Sequence, residues 1–349
     1  MYPITHYTKE EFVAIAEEAG FRPGQAARYW SLFSKNPMGP LPDHPEVGPR
    51  CKAWASDTFP SLAFSCEKER VARDGTIKFL FRLQDGALIE TVLMDHFFGK
   101  SLCITSQVGC NMGCAFCASG GLRKQRNLAL EELWQQIIYA NHYLRQRDTE
   151  AQVSHVVVMG IGEPFDNYEN VMKLMDILKD PQGPALSPKH LTISTCGLVP
   201  GIIRFADAHS PVRLALSLHA PFDDLRKQLM PVASHYSLEE LMDALQYYFD
   251  RGGKRVAVEY ILLAGLTDTP ACSRELSRLL RPFGNKVLVN LIPYNEVIDK
   301  PFRRSSEARQ REFKTALFHE GVLCKLRAER GRDVDAACGQ LRSRYLKKI

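Results

Sequence analysis

The spacing of apolar positions changes period along the chain, and those changes divide it. Phe12, Ile15 and Ala16 recur at helical spacing within residues 11–19. Thr8, followed by Glu10 and Glu11, supplies an N-cap and acidic residues that suit the helix dipole. A second amphipathic helix is predicted from about Gly24 to Phe33, and Asn36–Gly48, with four prolines and two glycines, reads as loop. Two β-rich runs, Ile77–Leu83 and Leu88–Met94, then flank Asp85-Gly86, a dipeptide suited to the positive φ angles of a tight hairpin.

From Ser101 onward the pattern is regular. Strand-like runs at Leu102–Thr105, Val153–Met159, Leu191–Ser194, Val212–Leu218, Val256–Leu262 and Val287–Ile292 are separated by helical segments. These helices are expected at Leu130–Leu144, Tyr168–Leu178, Ile202–Ala208, Leu238–Phe249 and Arg274–Leu280, with a last helix and strand at Ser306–Glu320 and Val322–Arg327. Such alternation predicts an α/β fold, a parallel sheet with helices outside it, and about six units make an incomplete (β/α)6 barrel. The chain is read as a small helical accessory domain over 1–75, a β-hairpin extension over 76–98 and the barrel with a C-terminal segment over 99–349. Chemistry in barrels sits at the carboxyl ends of the strands. Gly109–Gly121, Gly160–Asn167, Ser194–Gly197, Ser217–Pro221 and Pro293–Asn295 therefore share one rim.

Composition changes this picture little: 45% hydrophobic and 24% charged residues are those of an ordinary globular chain. The longest apolar runs, such as Val153–Ile161, are strand-length, and the opening MYPITHYTKEEF lacks a basic region followed by an apolar stretch. A cytoplasmic protein with no membrane partner is expected. The net charge of +5 permits an RNA partner without demanding one. Arg123, Lys124 and Arg126, and the basic stretch Lys325–Lys348, suit phosphate contacts, a solvated charged face being the alternative.

Ten cysteines change it more. Cys51, Cys66, Cys196, Cys272 and Cys324 are scattered and read as small buried hydrophobes. Cys110, Cys114 and Cys117 instead form C-x3-C-x2-C within GCNMGCAFCASGG, where Gly109 and Gly113 give the backbone freedom to curl around one centre. Iron–sulfur clusters are commonly held by four cysteines, so three leave one iron open to a substrate such as S-adenosylmethionine. A structural zinc site would favour paired C-x2-C motifs, and no second pair follows. Met159–Pro164 directly follows a β-run and resembles the GGEP motif of radical enzymes, and Ser217-Leu218-His219 ends another strand.

With these residues assembled, the chain resembles the RlmN/Cfr family of radical S-adenosylmethionine RNA-adenine methyltransferases from about Glu90 to Leu341. Carrying the resemblance are Glu90-Thr91-Val92, Ser106–Cys110, Gly162–Asn167, Ser217–Pro221, Asn290–Pro293 and, most specifically, Asp335-Ala336-Ala337-Cys338-Gly339-Gln340-Leu341. The resemblance implies a radical-SAM barrel in which Cys110, Cys114 and Cys117 hold a [4Fe–4S] cluster. It implies that Gly162, Glu163, Ser194, Ser217, Leu218, His219 and Asn295 bind S-adenosylmethionine, two molecules being used per turnover. Cys338 would carry the methyl group, Cys103 would resolve the protein–RNA adduct by forming a disulfide with it, and Glu90 falls where the family places a proton acceptor. The implied partners are 23S ribosomal RNA, transfer RNA as a further candidate, and an electron donor such as flavodoxin or ferredoxin. Gly162–Asn167 and the run Gly99–Gly109 favour the RlmN-like outcome, methylation at adenine C2, over the Cfr-like outcome at C8 with antibiotic resistance. An RNA-binding protein with a structural metal site and no catalysis is the alternative from another class. Cys196 stands in STCG where the family more usually has serine.

Overall fold

The computed structural model describes residues 2–39, 41–60, 64–297, 300–336 and 340. Its frame is a ten-stranded sheet in the order β1-β2-β3-β4-β7-β8-β9-β10-β11-β12. The strands are β1 (Ser65–Val71), β2 (Ile77–Arg82), β3 (Leu88–His96), β4 (Gly99–Cys103), β7 (Val153–Val158), β8 (Leu191–Thr195), β9 (Arg213–Ser217), β10 (Val256–Leu262), β11 (Val287–Pro293) and β12 (Cys324–Leu326). A separate small ladder pairs β5 (Gln107–Val108) with β6 (Arg126–Asn127). Pairing is antiparallel from β1 to β4 and parallel from β4 to β12. The hairpin is thus continuous with the barrel wall, and β1 and β12 are the two edges of an unclosed sheet.

Helices cover the outside: α4 (Leu130–Arg145), α5 (Tyr168–Lys179), α6 (Val199–Asp207), α7 (Asp223–Leu229), α8 (Leu238–Asp250), α9 (Pro270–Leu280) and α10 (Glu307–His319). Alternate strand residues such as Ile193, Leu214, Leu216, Val258 and Leu291 join the main apolar core, as period-two side-chain alternation requires. The N-terminal helices α1 (Lys9–Glu18), α2 (Pro23–Lys35) and α3 (Gly48–Thr58) join that same core. Trp30 packs on Trp134 with ring centroids 6.0 Å apart, His6 meets Glu131 at 2.6 Å, and Lys9 meets Asp180 at 2.7 Å. Thr8 caps α1 in a full capping box with Glu11.

The structure differs from the sequence reading in several elements, the short β5–β6 ladder among them. β1 lies in a segment read as helical, α3 follows the proline-rich loop unannounced, and α7 was not expected. The last strand is shorter than predicted, three residues in place of Val322–Arg327.

Beyond β12 the chain turns back across the open side of the barrel to the β1–β2 turn. Gly331 N donates to Asp74 (3.0 Å), Arg73 N donates to Asp333 (3.1 Å), and Lys78 Nζ donates to the Asp335 carbonyl (3.0 Å).

Candidate active site

The cysteine loop follows β5 and is pinned from three sides. Cys110 N donates to Leu122 O and Ala115 N to Leu229 O, each at 2.8 Å, while Tyr294 Oη donates to Phe116 O at 3.4 Å. Gly109 has φ 79°, and a Cβ there would meet the Arg123 carbonyl at 2.2 Å, so only glycine fits. Phe116, Ile261, Leu263 and Tyr294 form a second apolar cluster at the strand ends, with Cys114 and Cys117 packed against it. The three thiols and Glu163 lie within electrostatic reach of one another. Burial pushes the Cys110 thiol up to about 11 and raises Cys114 as well. Such thiols ligate only when a metal displaces their protons. Among the described residues no three Cys, His, Asp or Glu side chains converge closely enough to hold a single metal ion. Three thiols on one glycine-rich loop are the donor chemistry of an iron–sulfur cluster.

Next to this loop, Gly162 adopts φ 112°, and a Cβ would meet Ser106 Oγ at 2.6 Å. Glu163 follows, buried, its amide donating to Gln107 Oε1 at 2.9 Å. Its carboxylate accepts from Phe165 N (3.1 Å) and Cys196 N (2.8 Å). Burial raises its pKa and those amides pull it back.

On the neighbouring strands the Ser194 and Ser217 hydroxyls lie 3.4 Å apart. The amides of Leu218 and His219 donate to Glu259 O. His219 is buried with φ 60° and packs edge-on to Phe116 at 4.9 Å. Its Nδ1 accepts from Ile261 N at 3.2 Å, which leaves the proton on Nε2. Burial, then Arg226, pushes it down to about 3, so the ring is neutral. Asn295 is buried just beyond β11.

Glu90 lies on β3, 2.9 Å from Lys78 on β2. Its Oε2 is buried without a hydrogen-bond partner among the described residues. Burial raises its pKa against the pull of Lys78. Cys103 ends β4 and shares a third apolar cluster with Cys110, Val92, Ile161, Val334 and Ala336. Cys338 lies outside the described residues. Among the described residues no two cysteines form a disulfide, and the implied Cys103–Cys338 bridge has one partner beyond them.

Sequence reasoning passed over Arg226 and Lys78. The Arg226 guanidinium is wholly buried and donates to Cys196 O (2.7 Å) and Leu218 O (3.2 Å), joining the ends of β8 and β9. The available signal was Asp223-Asp224 ahead of Leu225 and Leu229, an acidic first turn with an i,i+4 apolar pair. The basic cluster needs correction. Lys124 is bound to Asp166 (2.6 Å), and Arg126 to Asp85 (2.8 Å) and Glu132 (2.6 Å), so two of its three charges are spent within the chain. Arg123 is exposed, and of the basic stretch Lys325–Lys348 the part beyond Ala336, Gln340 apart, lies outside the described residues.

Residues 104–271 match the family model of the radical SAM superfamily. The fold also matches the crystal structure of a radical SAM methyltransferase from Sphaerobacter thermophilus, with TM-score 0.88 and 36% identity over 98% of this chain and 99% of that one. Fold and site together define an enzyme of the radical SAM class, which implies an iron–sulfur cluster and S-adenosylmethionine as cofactors. The chain is 42% identical to the probable dual-specificity RNA methyltransferase RlmN of Exiguobacterium sibiricum over 98% of this chain and 96% of that one. It is 43% identical to the protein of that name from Shouchella clausii, over 95% and 93%. The chain belongs to the RlmN family of RNA methyltransferases. Among the described residues no helix is long and apolar enough to cross a membrane.

Proposed function

We propose that this enzyme methylates C2 of an adenine in 23S ribosomal RNA and transfer RNA, with Cys338 as methyl carrier. The observation that carries the reading concerns the segment around Cys338. On one side Ala336 packs with Cys103 and Cys110; on the other, Gln340 Nε2 donates to Glu296 O at 3.4 Å, beside Asn295. Both flanks of the cysteine are thus anchored where the candidate residues gather.

In this reading Cys110, Cys114 and Cys117 hold a [4Fe–4S] cluster through their thiolates. The buried Glu163 carboxylate suits an ammonium group, the Ser194 and Ser217 hydroxyls suit further polar groups, and His219 offers its Nε2–H. Gly162, Leu218 and Asn295 complete the cradle. When bound, S-adenosylmethionine supplies the methyl group from one molecule and, from a second reduced by one electron, a radical that abstracts hydrogen. Cys338 sulfur takes the methyl group and, after loss of a hydrogen atom, its carbon bonds to C2; the adduct radical then gives up one electron, returned to the cluster. Glu90 accepts the ring proton, for which a carboxylate raised by burial is suited. Cys103 attacks the Cys338 sulfur as in thiol–disulfide exchange. The methylene carbon leaves with the S–C electron pair and takes a proton to become the methyl group, and the RNA is freed with a Cys103–Cys338 disulfide left behind. A cytoplasmic setting keeps both thiols reduced between turnovers, and a flavodoxin or ferredoxin supplies the electron.

Trapping tests the roles. Cys338→Ala is expected to give no modified RNA, and Cys103→Ala to hold RNA covalently on Cys338 through a methylene bridge, seen as a gel shift that survives denaturation. A Cys103→Ala enzyme that turns over without adduct would remove the reading of Cys103. Mass spectrometry of digested product RNA distinguishes 2-methyladenosine from the C8 isomer.

A further inference from the structure

Lys78 and Glu90 project from the same face of adjacent strands as a diagonal pair, since Leu80 stands opposite Glu90 and Val92 opposite Lys78. Their side chains are 8% and 3% exposed. Ion pairs this deep do little for stability in themselves, because desolvation offsets the attraction. Two further observations point to a task. The same Lys78 ammonium donates to the carbonyl of Asp335, three residues before Cys338, and Asp335 holds a left-handed backbone with φ 54°. Glu90 engages Lys78 through Oε1 alone, so its buried Oε2 keeps its lone pairs uncommitted among the described residues.

We propose that Lys78 is a positioning residue that couples the proton acceptor to the methyl carrier, one ammonium orienting Glu90 and docking the segment that bears Cys338. The inference deepens the function proposed above and rests on it. An ammonium has three donors on a compact charge, enough to serve the carboxylate and the carbonyl together. Drawing Oε1 toward Lys78 fixes the direction of Oε2. Holding the Asp335 carbonyl stabilises a left-handed backbone that Asp tolerates better than most residues but still adopts at some cost. The charged groups facing Glu90 are Lys78 from β2, Arg70 from β1 and Asp335 from the docked segment. Lifting that segment removes one acceptor from Lys78 and one negative charge from Glu90, so docking and proton affinity change together.

Two readouts on the holoenzyme test the coupling, with Lys78→Met and Lys78→Arg compared. Hydrogen exchange of the amides in Gly331–Ala336 is expected to quicken about tenfold in Lys78→Met, the effect of losing one buried charge-assisted hydrogen bond. Exchange in β10 and β11 should stay unchanged, and Lys78→Arg should restore protection. Where Lys78→Met does not fold, Lys78→Gln takes its place. The acid-side fall of turnover should move to higher pH in Lys78→Met and return in Lys78→Arg, because the uncompensated carboxylate holds its proton longer. Either readout unchanged overturns the coupling. The exchange measurement needs no turnover. A Glu90→Gln enzyme with full activity would therefore remove the proton-acceptor reading without touching the docking result.

Discussion

His219 is fixed in one protonation state by its surroundings. Its folded-state pKa is pushed down to about 3 from an ordinary 6.5, by burial first and Arg226 second. Below about pH 6.5 the unfolded chain takes up a proton that the folded chain refuses until about pH 3. The stability held by the neutral ring is therefore complete above about pH 6.5 and is lost as pH falls through that window. A His219→Gln variant is expected to lose melting temperature less steeply than the parent between about pH 7 and pH 4. Equal slopes would show that the folded ring titrates freely. His219 was visible in the sequence because it follows a strand in a recognisable motif. Lys78 was not. A lysine within Ile77-Lys78-Phe79-Leu80-Phe81 reads as a polar tooth on a hairpin, and only the register with Glu90 gives it a partner.

Among the elements, α7 is the one on which the site leans and that periodicity missed. Its seven residues are too few to show a helical period against the surrounding polar chain. It supplies Leu229 O to the cysteine loop and Arg226 to two strand ends. Arg226→Leu would leave the Cys196 and Leu218 carbonyls buried without those donors. Denaturant unfolding of the cofactor-free protein is expected to register a loss on the order of 3 kcal/mol, as for two hydrogen bonds from a charged group. Arg226→Lys, keeping the charge but losing the fork, should fall between the two. A loss below about 0.5 kcal/mol for Arg226→Leu would mean that water takes over both carbonyls. β1 escaped notice for a different reason. Ser-Cys-Glu-Lys-Glu-Arg-Val offers no apolar alternation, because this strand is a sheet edge and mostly exposed. Charged side chains there discourage pairing with another chain. The barrel strands were legible because each contributes apolar residues to the core.

At the scale of the whole molecule, the net charge of +5 hides how the positive groups are used. Arg126 forks across Asp85 of the β-hairpin turn and Glu132 at the start of α4, tying the hairpin to the barrel wall. An Arg126→Gln variant is expected to leave the salt dependence of RNA binding unchanged, where one lost phosphate contact would alter the slope by roughly 0.7 to 0.9. Its effect should appear instead in thermal unfolding. A slope change of that size would return Arg126 to the RNA interface. The open barrel has a consequence of its own. Residues 331–336 dock on the β1–β2 hairpin, and since chains fold from the N-terminus during synthesis they arrive after every strand of the sheet. Until then the apolar cluster that Val334 and Ala336 complete with Val92 and Ile161 is open on one side. The fold thus sets a timetable for assembly, in which the sheet is complete before the segment that packs on Cys103 and Cys110 arrives.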